Sequence, residues 1–131
     1  MNPFLLTFLY FIVAVIVVVI GVVIFELITT KYKDWQEIHQ RNNAVALSIG
    51  GKIIGICIIL TFSIFHNDTI VETIYWGAYG IVLQMAAYFL FEIFTRNFSV
   101  QEQLKNGNLA VGIISFCVSV GLAFVIGASI S

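Results

Sequence analysis

Two polar side chains, Lys52 and Gln84, interrupt long apolar segments and are the residues of this sequence most suited to chemistry. Lys52 lies ten residues beyond Asn42, about 15 Å along an α-helix, and Gln84 lies at a similar depth, twelve residues before Arg96. In hydrocarbon an ammonium group costs at least about 2.5–3.5 kcal/mol on insertion scales, so it needs water or a partner. Three interpretations stay open: a lysine that reaches the headgroups, a polar cavity or anion pathway, or a structural bond between helices, with Gln84 as the side-chain neighbour.

Two carboxylates, Glu26 and Glu92, lie sixty-six residues apart near the ends of apolar segments, and an asparagine follows each after a polar stretch. Asn42 and Asn108 are good N-cap residues, and the positive end of a helix dipole attracts a carboxylate. We therefore predict that each Glu and Asn pair locks a helical hairpin. The alternative is a pair of ion or proton sites, which intramembrane carboxylates can supply.

No cluster of residues suggests an enzyme, a metal site or a cofactor site. The two histidines, His39 and His66, are predicted to lie on opposite sides of the membrane described below, and the two cysteines, Cys57 and Cys117, lie inside apolar runs. The sequence has no nucleophile elbow, zinc, phosphate-loop or dinucleotide-binding motif. We expect a protein that is not an enzyme and has neither metal nor cofactor.

The composition is that of a membrane protein. Hydrophobic residues make up 60% and charged residues 10% of the 131 residues, against about 45–50% and about 25% in soluble domains. The chain lacks the charge to cover a water-facing surface, which excludes an ordinary soluble enzyme and a disordered chain. A net charge of −1 gives no field that would attract nucleic acid.

Four apolar segments are long enough to cross about 30 Å of hydrocarbon as α-helices. They run over about Phe4–Ile28, Asn43–Phe65, Ile70–Thr95 and Asn108–Ile130. The first segment has no basic n-region and no small-residue cleavage site, so we interpret it as an uncleaved span. The sequence thus predicts an all-α membrane protein with four transmembrane helices.

The basic residues of the loops predict the orientation. Residues 29–42 and 96–107 carry all five loop cations, while residues 66–69 and both tails carry none. Because Lys and Arg are retained on the cytoplasmic side, we expect both longer loops in the cytoplasm and both termini outside. The loop cations are Lys31, Lys33, Arg41, Arg96 and Lys105.

The chain repeats itself at an offset of sixty-six residues. Residues 25–29 read FELIT and residues 91–95 read FEIFT. Further matches at this offset are Asn42 with Asn108, Ala44 with Ala110, Gly55 with Gly121 and Ser63 with Ser129. We predict two repeats of two helices each, 1–66 and 67–131, which form one integral membrane domain. Because each repeat returns to its starting side, the two are parallel and related by an axis along the membrane normal.

This tandem pattern, F-E-h-h-T with h apolar, then a polar loop and R/G-N-x-A-V-A/G, resembles the YjfL-like bacterial inner-membrane proteins, the domain-of-unknown-function 350 family. The resemblance covers essentially the whole chain. It implies four spans in two units, a bacterial plasma membrane and membrane-stress proteins as neighbours, and it brings no established activity. Arg41 stands where the pattern has a glycine. The residues carried over are Glu26, Asn42, Ala44, Gly51, Glu92, Gly107, Asn108 and Ala110.

Small residues recur every three to four positions in the second and fourth spans. Small faces let helix backbones approach closely in lipid, so we predict that these spans meet at the centre or at an oligomer interface, while the first and third spans face lipid. Lining a pore is the alternative role. The packing residues named by this pattern are Gly51, Gly55, Ser115, Ser119, Ala123 and Gly127.

Both long loops are predicted to contain short helices. Tyr32, Trp35 and Ile38 have helical spacing and suit an amphipathic helix in the interface. Residues 99–102, SVQE, read as a capping box.

Two functions from different classes fit this sequence. The first is a homo-oligomeric membrane-stress or scaffold component that recruits a cytoplasmic protein through its loops. The second is an oligomeric ion channel or small transporter with Lys52 in a polar cavity. The lipid bilayer is the expected surrounding in both, and nucleic acid is a partner in neither.

Overall fold

The computed structural model describes residues 2–28, 34–94 and 100–131, and it describes no side chains at 28, 34–35, 92–94 and 100–101. The described residues are helical apart from short connections. The helices are α1 (Pro3–Ile28), α2 (Asp34–His39), α3 (Asn43–His66), α4 (Ile70–Phe94), α5 (Val100–Lys105) and α6 (Leu109–Ile130).

Four of these helices, α1, α3, α4 and α6, are long and apolar enough to cross a membrane. They coincide with the four segments predicted from the sequence, which confirms an all-helical protein with four candidate spans. The short helices α2 and α5 precede α3 and α6, and we call this end of the bundle the loop end. The opposite end, where residues 67–69 join α3 to α4, is the turn end.

The two short helices end in the same way. Arg41 and Gly107 both have positive φ, 65° and 78°. Each lies at the left-handed position of a Schellman motif, which closes the end of a helix with backbone hydrogen bonds. Asn42 N–H donates to the Glu37 carbonyl at 2.9 Å, and Asn108 N–H donates to the Gln103 carbonyl at 2.9 Å. Glycine adopts this left-handed conformation without strain, which is the physical reason for a glycine at this place in the family pattern.

The helices α3 and α6 run parallel and touch through their backbones. A Cβ built on Gly112 would lie 2.8 Å from both Cα and the carbonyl oxygen of Ala44, near the loop end. A Cβ built on Gly51 would lie 2.8 Å from Cα of Phe116. Towards the turn end, Gly127 faces the ring of Phe62. At Gly51 and Gly112 a glycine is needed because no side chain fits between the two backbones, whereas at Gly127 the ring of Phe62 fills the space that a side chain would take.

Helix α4 lies antiparallel to α3, in the groove between α3 and α6. Its glycines Gly77 and Gly80 face Leu60 and Ile59 of α3, while Tyr75 and other residues of its outer face are exposed. The expectation that the third span only faces lipid is therefore wrong for one of its two faces. The hydropathy of this span does not reveal the buried face, because most of its buried positions are small or polar. They are Thr73, Gly77, Gly80, Ile81, Gln84 and Tyr88.

Helix α1 is the most exposed of the four long helices. In its apolar window 11% of the residues are buried, against 50% in α3. Val22 and Phe25 anchor it in a core with Ile56, Ile81 and Tyr88. The rest of α1 presents apolar side chains outwards, as a helix in contact with lipid does.

We expect Gly112→Ala to lower the midpoint of thermal unfolding in detergent, because the added methyl must separate α3 from α6. Overpacking of this kind typically costs about 1–3 kcal/mol. The matched control, measured on monomeric protein, is Gly121→Ala in the same helix, where an added Cβ meets no atom of its own chain within 4 Å, and its midpoint should be unchanged or slightly higher. Equal effects of the two substitutions would contradict the close contact.

Candidate functional site

Polar side chains are buried together where α3, α4 and α6 meet, and we call this group the polar seam. Lys52 and Gln84, the two residues singled out by the sequence, belong to it and are 2% and 1% exposed. The remaining members are Ser48, Tyr88, Ser115 and Ser119. Helix α3 supplies Ser48 and Lys52 one turn apart, α4 supplies Gln84 and Tyr88 one turn apart, and α6 supplies the last two serines at the same spacing.

The ammonium of Lys52 is held between two aromatic rings. Its Nζ lies 4.6 Å from the ring centroid of Tyr88 and 5.2 Å from that of Phe25. The two rings meet edge to face, with centroids 6.3 Å apart. Such cation–π contacts reach about 2 kcal/mol or more when desolvated. Among the described residues the charge is thus stabilised by ring faces, and α1 takes part in the site through Phe25.

Three hydroxyl groups form a small network beside Lys52. Ser48 Oγ and Ser115 Oγ lie 3.1 Å apart, and the hydroxyl of Tyr88 lies 3.1 Å from Ser115 Oγ and 3.4 Å from Ser48 Oγ. Each hydroxyl both donates and accepts, so three of them can satisfy one another. This network joins α3, α4 and α6 by hydrogen bonds in a region where water is scarce.

The amide of Gln84 lies one turn further towards the turn end. It lies over Gly55, where a Cβ would collide with it, and its Nε2 donates to the carbonyl oxygen of Ser119 at 3.3 Å. Within the described part of the chain, Gln84 Oε1 and Ser119 Oγ are buried without a hydrogen-bond partner. The structure therefore places Lys52 and Gln84 in one seam, and the amide bonds to α6.

The seam gives way to apolar packing beyond Gln84. Ile59, Ala123, Ile126 and Ile130 form a buried cluster there. Along the described helices, buried polar atoms return near the turn end, where Ser63 Oγ donates to the carbonyl of Thr73 at 2.8 Å. Among the described residues of one chain the seam is thus a local polar site and not a continuous polar path.

The two asparagines cap α3 and α6. The side-chain oxygen of Asn42 accepts from Val45 N–H, and that of Asn108 accepts from Val111 N–H. Their amide nitrogens differ. That of Asn108 donates within its own loop to Gln103 Oε1 at 2.9 Å. That of Asn42 donates to Glu37 Oε2 at 3.3 Å and also reaches across to the second loop.

This cross-loop contact joins Asn42 to the end of α5. The amide nitrogen donates to the Leu104 carbonyl at 2.8 Å and to the Lys105 carbonyl at 3.0 Å. Below it the side chain of Leu104 is 0% exposed and packs on Ala44 and Val45. The described parts of the two loops, residues 34–42 and 100–107, therefore form one structural unit on the start of α3.

Of the two carboxylates predicted to lock the hairpins, the structure describes the side chain of one. Glu26 is half-buried near the end of α1, and among the described residues Glu37 supplies the carboxylate that contacts Asn42. The side chain of Glu92 lies outside the described residues. A lock or an ion site at these carboxylates stays a prediction.

The interfacial helix predicted around Tyr32, Trp35 and Ile38 coincides with α2 only in part. Ile38 is half-buried and packs on both neighbouring cores. Tyr32 and the side chain of Trp35 lie outside the described residues, and so does Ser99 of the predicted capping box.

Sequence reasoning missed Tyr88 and the hydroxyl groups of Ser48 and Ser115 as polar partners. The sequence pattern indicates Ser115 as a small packing residue and not as a polar partner, and Tyr88 lies among apolar residues of the third span. Its spacing from Gln84, one helical turn, was the available signal. The described residues hold no group of three or more His, Cys, Asp or Glu suited to a metal ion.

A bundle of four long apolar helices around a buried polar site defines the class: a multi-pass helical membrane protein. The model of the family described as Domain of Unknown Function (DUF350) matches residues 1–130, and the chain belongs to this family.

The names of its relatives agree with this class. The UPF0719 transmembrane protein YshE of Bacillus subtilis (strain 168) is 45% identical over 121 residues, which cover 92% of this chain and 90% of that protein. The UPF0719 inner membrane protein YjfL of Escherichia coli (strain K12) is 29% identical over 103 residues, 79% of this chain and 76% of that protein. No solved structure gives a significant match. The protein is a small multi-pass protein of the bacterial plasma (inner) membrane, in a family whose names record no enzyme.

We expect Tyr88→Phe to destabilise the protein by about 1 kcal/mol, because it deletes the hydroxyl that bridges Ser115 and Ser48 and keeps the ring over Lys52. Tyr79→Phe is the matched control, since Tyr79 lies on the exposed face of the same helix. Thermal unfolding of both variants in the same detergent checks this. A loss of stability in the control but not in Tyr88→Phe would contradict the hydroxyl network.

Proposed function

We propose that the protein is a non-enzymatic, oligomeric scaffold of the plasma membrane that recruits a cytoplasmic protein, of the membrane-stress type, through its two loops. The observation that carries the proposal is the hydrogen bonding of Asn42 to the carbonyls of Leu104 and Lys105 over the buried Leu104 side chain. Loops held together in this way offer one fixed surface, and a fixed surface binds a partner with a smaller loss of conformational freedom.

We call this surface the loop platform: α2, α5, residues 40–43 and residues 106–108. The exposed side chains that the structure describes on it are polar and of both signs, so it suits a water-soluble protein partner better than the hydrocarbon region. The exposed members are Gln36, His39, Gln40, Arg41, Asn43, Glu102, Lys105 and Asn106.

The cytoplasmic position of the loop platform rests on the distribution of cations. Arg41 and Lys105 belong to it, and the same two loops of the sequence hold Lys31, Lys33 and Arg96, while the turn at 67–69 holds no Lys or Arg. By the positive-inside rule the platform faces the cytoplasm and both termini lie outside.

The proposed architecture is two parallel units, 1–66 and 67–131. Three observations support it. Arg41 and Gly107, equivalent at the offset of sixty-six, share positive φ. Asn42 and Asn108 cap their helices in the same way. The parallel course of α3 and α6 is what two units of the same orientation require.

The rival function, an oligomeric channel or small transporter with Lys52 in a polar cavity, draws its support from the polar seam. The apolar cluster of Ile59, Ala123 and Ile126 beyond Gln84 favours the scaffold, because a transport path needs polar or wet surroundings on both sides of Lys52.

We expect Asn42→Ala to destabilise the protein by about 2–3 kcal/mol, from the loss of a helix cap and two cross-loop hydrogen bonds. Asn108→Ala, the matched control, loses its cap and a bond within its own loop, and should cost about 1–2 kcal/mol. Thermal unfolding in detergent measures both. A larger loss in Asn108→Ala would contradict the coupling of the loops.

Recruitment is tested by photo-crosslinking in living cells. A photoreactive residue at Gln40 or Asn106 should give adducts with a cytoplasmic protein, and the same residue at Asp68, exposed at the turn end, should give none. Thiol labelling of Asn106→Cys in a chain without its native cysteines should occur in inside-out vesicles and not in intact cells. Labelling from the outside, or adducts only at Asp68, would overturn the proposal.

A further inference from the structure

Within one chain, α6 packs against a single face of α3, which we call the covered face. Its members recur every three to four residues and all are buried. They are Ala44, Ser48, Gly51, Gly55 and Ile59. The parallel contacts of Gly112 with Ala44, of Phe116 with Gly51 and of Ser119 with Gly55 define the geometry of this interface.

The equivalent positions of α6, sixty-six residues later, have the opposite burial. We call them the open face of α6: Ala110, Ile114, Cys117, Gly121 and Val125. Ile114 and Val125 are 53% and 62% exposed, and a Cβ built on Gly121 meets nothing within 4 Å. Helix α6 thus has, at equivalent positions, the face with which α3 binds a helix, and none of the described helices of the chain covers it.

The converse holds for α3. Helix α6 reaches α3 through Gly112, Phe116, Ser119, Ala123 and Gly127. Their equivalents on α3 form the open face of α3: Ala46, Gly50, Ile53, Cys57 and Thr61. These positions are exposed or half-buried, and a Cβ built on Gly50 meets nothing within 4 Å. Each chain therefore presents two different open faces. The open face of α6 corresponds to the covered face of α3, and the open face of α3 corresponds to the face of α6 that packs on α3.

We infer that the open face of α6 in one copy binds the open face of α3 in a second copy, in the parallel geometry that α3 and α6 use within the chain. The inference rests on the proposed arrangement of two parallel units and extends it to the next copy. It names the contact by which the proposed oligomer forms.

The residue pairs that would meet are compatible with close approach. At the offset of sixty-six residues, the contact of Phe116 with Gly51 inside one chain corresponds to a contact of Gly50 with Cys117 between two copies. In the same way, the contact of Ser119 with Gly55 corresponds to one of Ile53 with Gly121. Gly112 with Ala44 becomes Ala46 with Ala110. Each of these pairs contains a glycine or an alanine, which permits a close approach of the two helices. Their backbones lie somewhat further apart than inside the chain, because Cys117 and Ala46 carry a Cβ at the positions equivalent to Gly51 and Gly112. In lipid this close packing is a main source of helix association.

Two different faces meet in this contact, so the interface is heterologous. A symmetric pair of copies cannot satisfy it, because each added copy presents a new open face of α6. The assembly therefore continues until it closes into a ring or extends as a row. Lipid tails are the other possible occupant of these faces, and the experiment below separates the two.

The test uses the native thiol of Cys117. In full-length protein with Cys57→Ala, we add Gly50→Cys and treat native membranes with a mild oxidant. Because Gly50 and Cys117 of neighbouring copies are in contact, a non-reducing gel should show a ladder of dimers, trimers and larger species. The chain with Cys117 alone, and the chain with Gly50→Cys and Cys117→Ala, should both stay monomeric.

Two results would overturn the inference. A dimer from either single-cysteine chain shows a twofold contact, and a monomer from the double-cysteine chain shows that lipid covers the faces. A second variant, Ser48→Cys with Ser115→Cys in a chain without native cysteines, tests the arrangement inside the chain, since the two Oγ atoms lie 3.1 Å apart. If its internal disulfide forms without a ladder in the first variant, the inference alone fails. If neither forms, the proposed two-unit arrangement fails with it.

Discussion

The contact between the backbones of α3 and α6 is the interaction on which the rest of this structure depends. In lipid, helices gain little from burying apolar surface against one another, because the hydrocarbon around them is equally apolar. What remains is close packing and hydrogen bonding, and both need helices that touch over much of their length. Gly51, Gly55 and Gly112 make this possible. The positions of α4, the polar seam and the loop platform all follow from it.

The polar seam shows how a bundle this small accommodates charge and hydrogen-bonding groups at membrane depth. The Lys52 ammonium has two ring faces, and the hydroxyls of Ser48, Tyr88 and Ser115 have one another. Each arrangement combines residues from different helices, so the seam stabilises the same packing that creates it. Gln84 bonds to the backbone of α6, which is reachable there because Gly55 has no side chain.

Much of the fold could be predicted from the sequence because lipid makes a simple demand on it. The length of the four apolar runs determined the four long helices, and the single lysine among them was an evident candidate for the site.

The partners of Lys52 could not be predicted. Phe25 and Tyr88 come from other helices, and nothing local in α1 or α4 marks their rings as facing a cation. The third span was misjudged for a related reason: hydropathy measures how apolar a helix is and not which face turns inwards. The cross-loop hydrogen bond of Asn42 could not be predicted from the sequence either. Its equivalent, Asn108, caps its helix in the same way but donates within its own loop.

The depth of Lys52 has a consequence for the living cell. Moving one elementary charge across a full membrane potential of 100 mV involves about 2.3 kcal/mol. Lys52 lies nine residues into α3, about 13 Å from its first residue, so a charge there experiences a sizeable part of that field. Moving the Lys52 ammonium from the loop end to this depth therefore involves about 1 kcal/mol per 100 mV, a contribution that exists across an energised membrane and not in a detergent micelle.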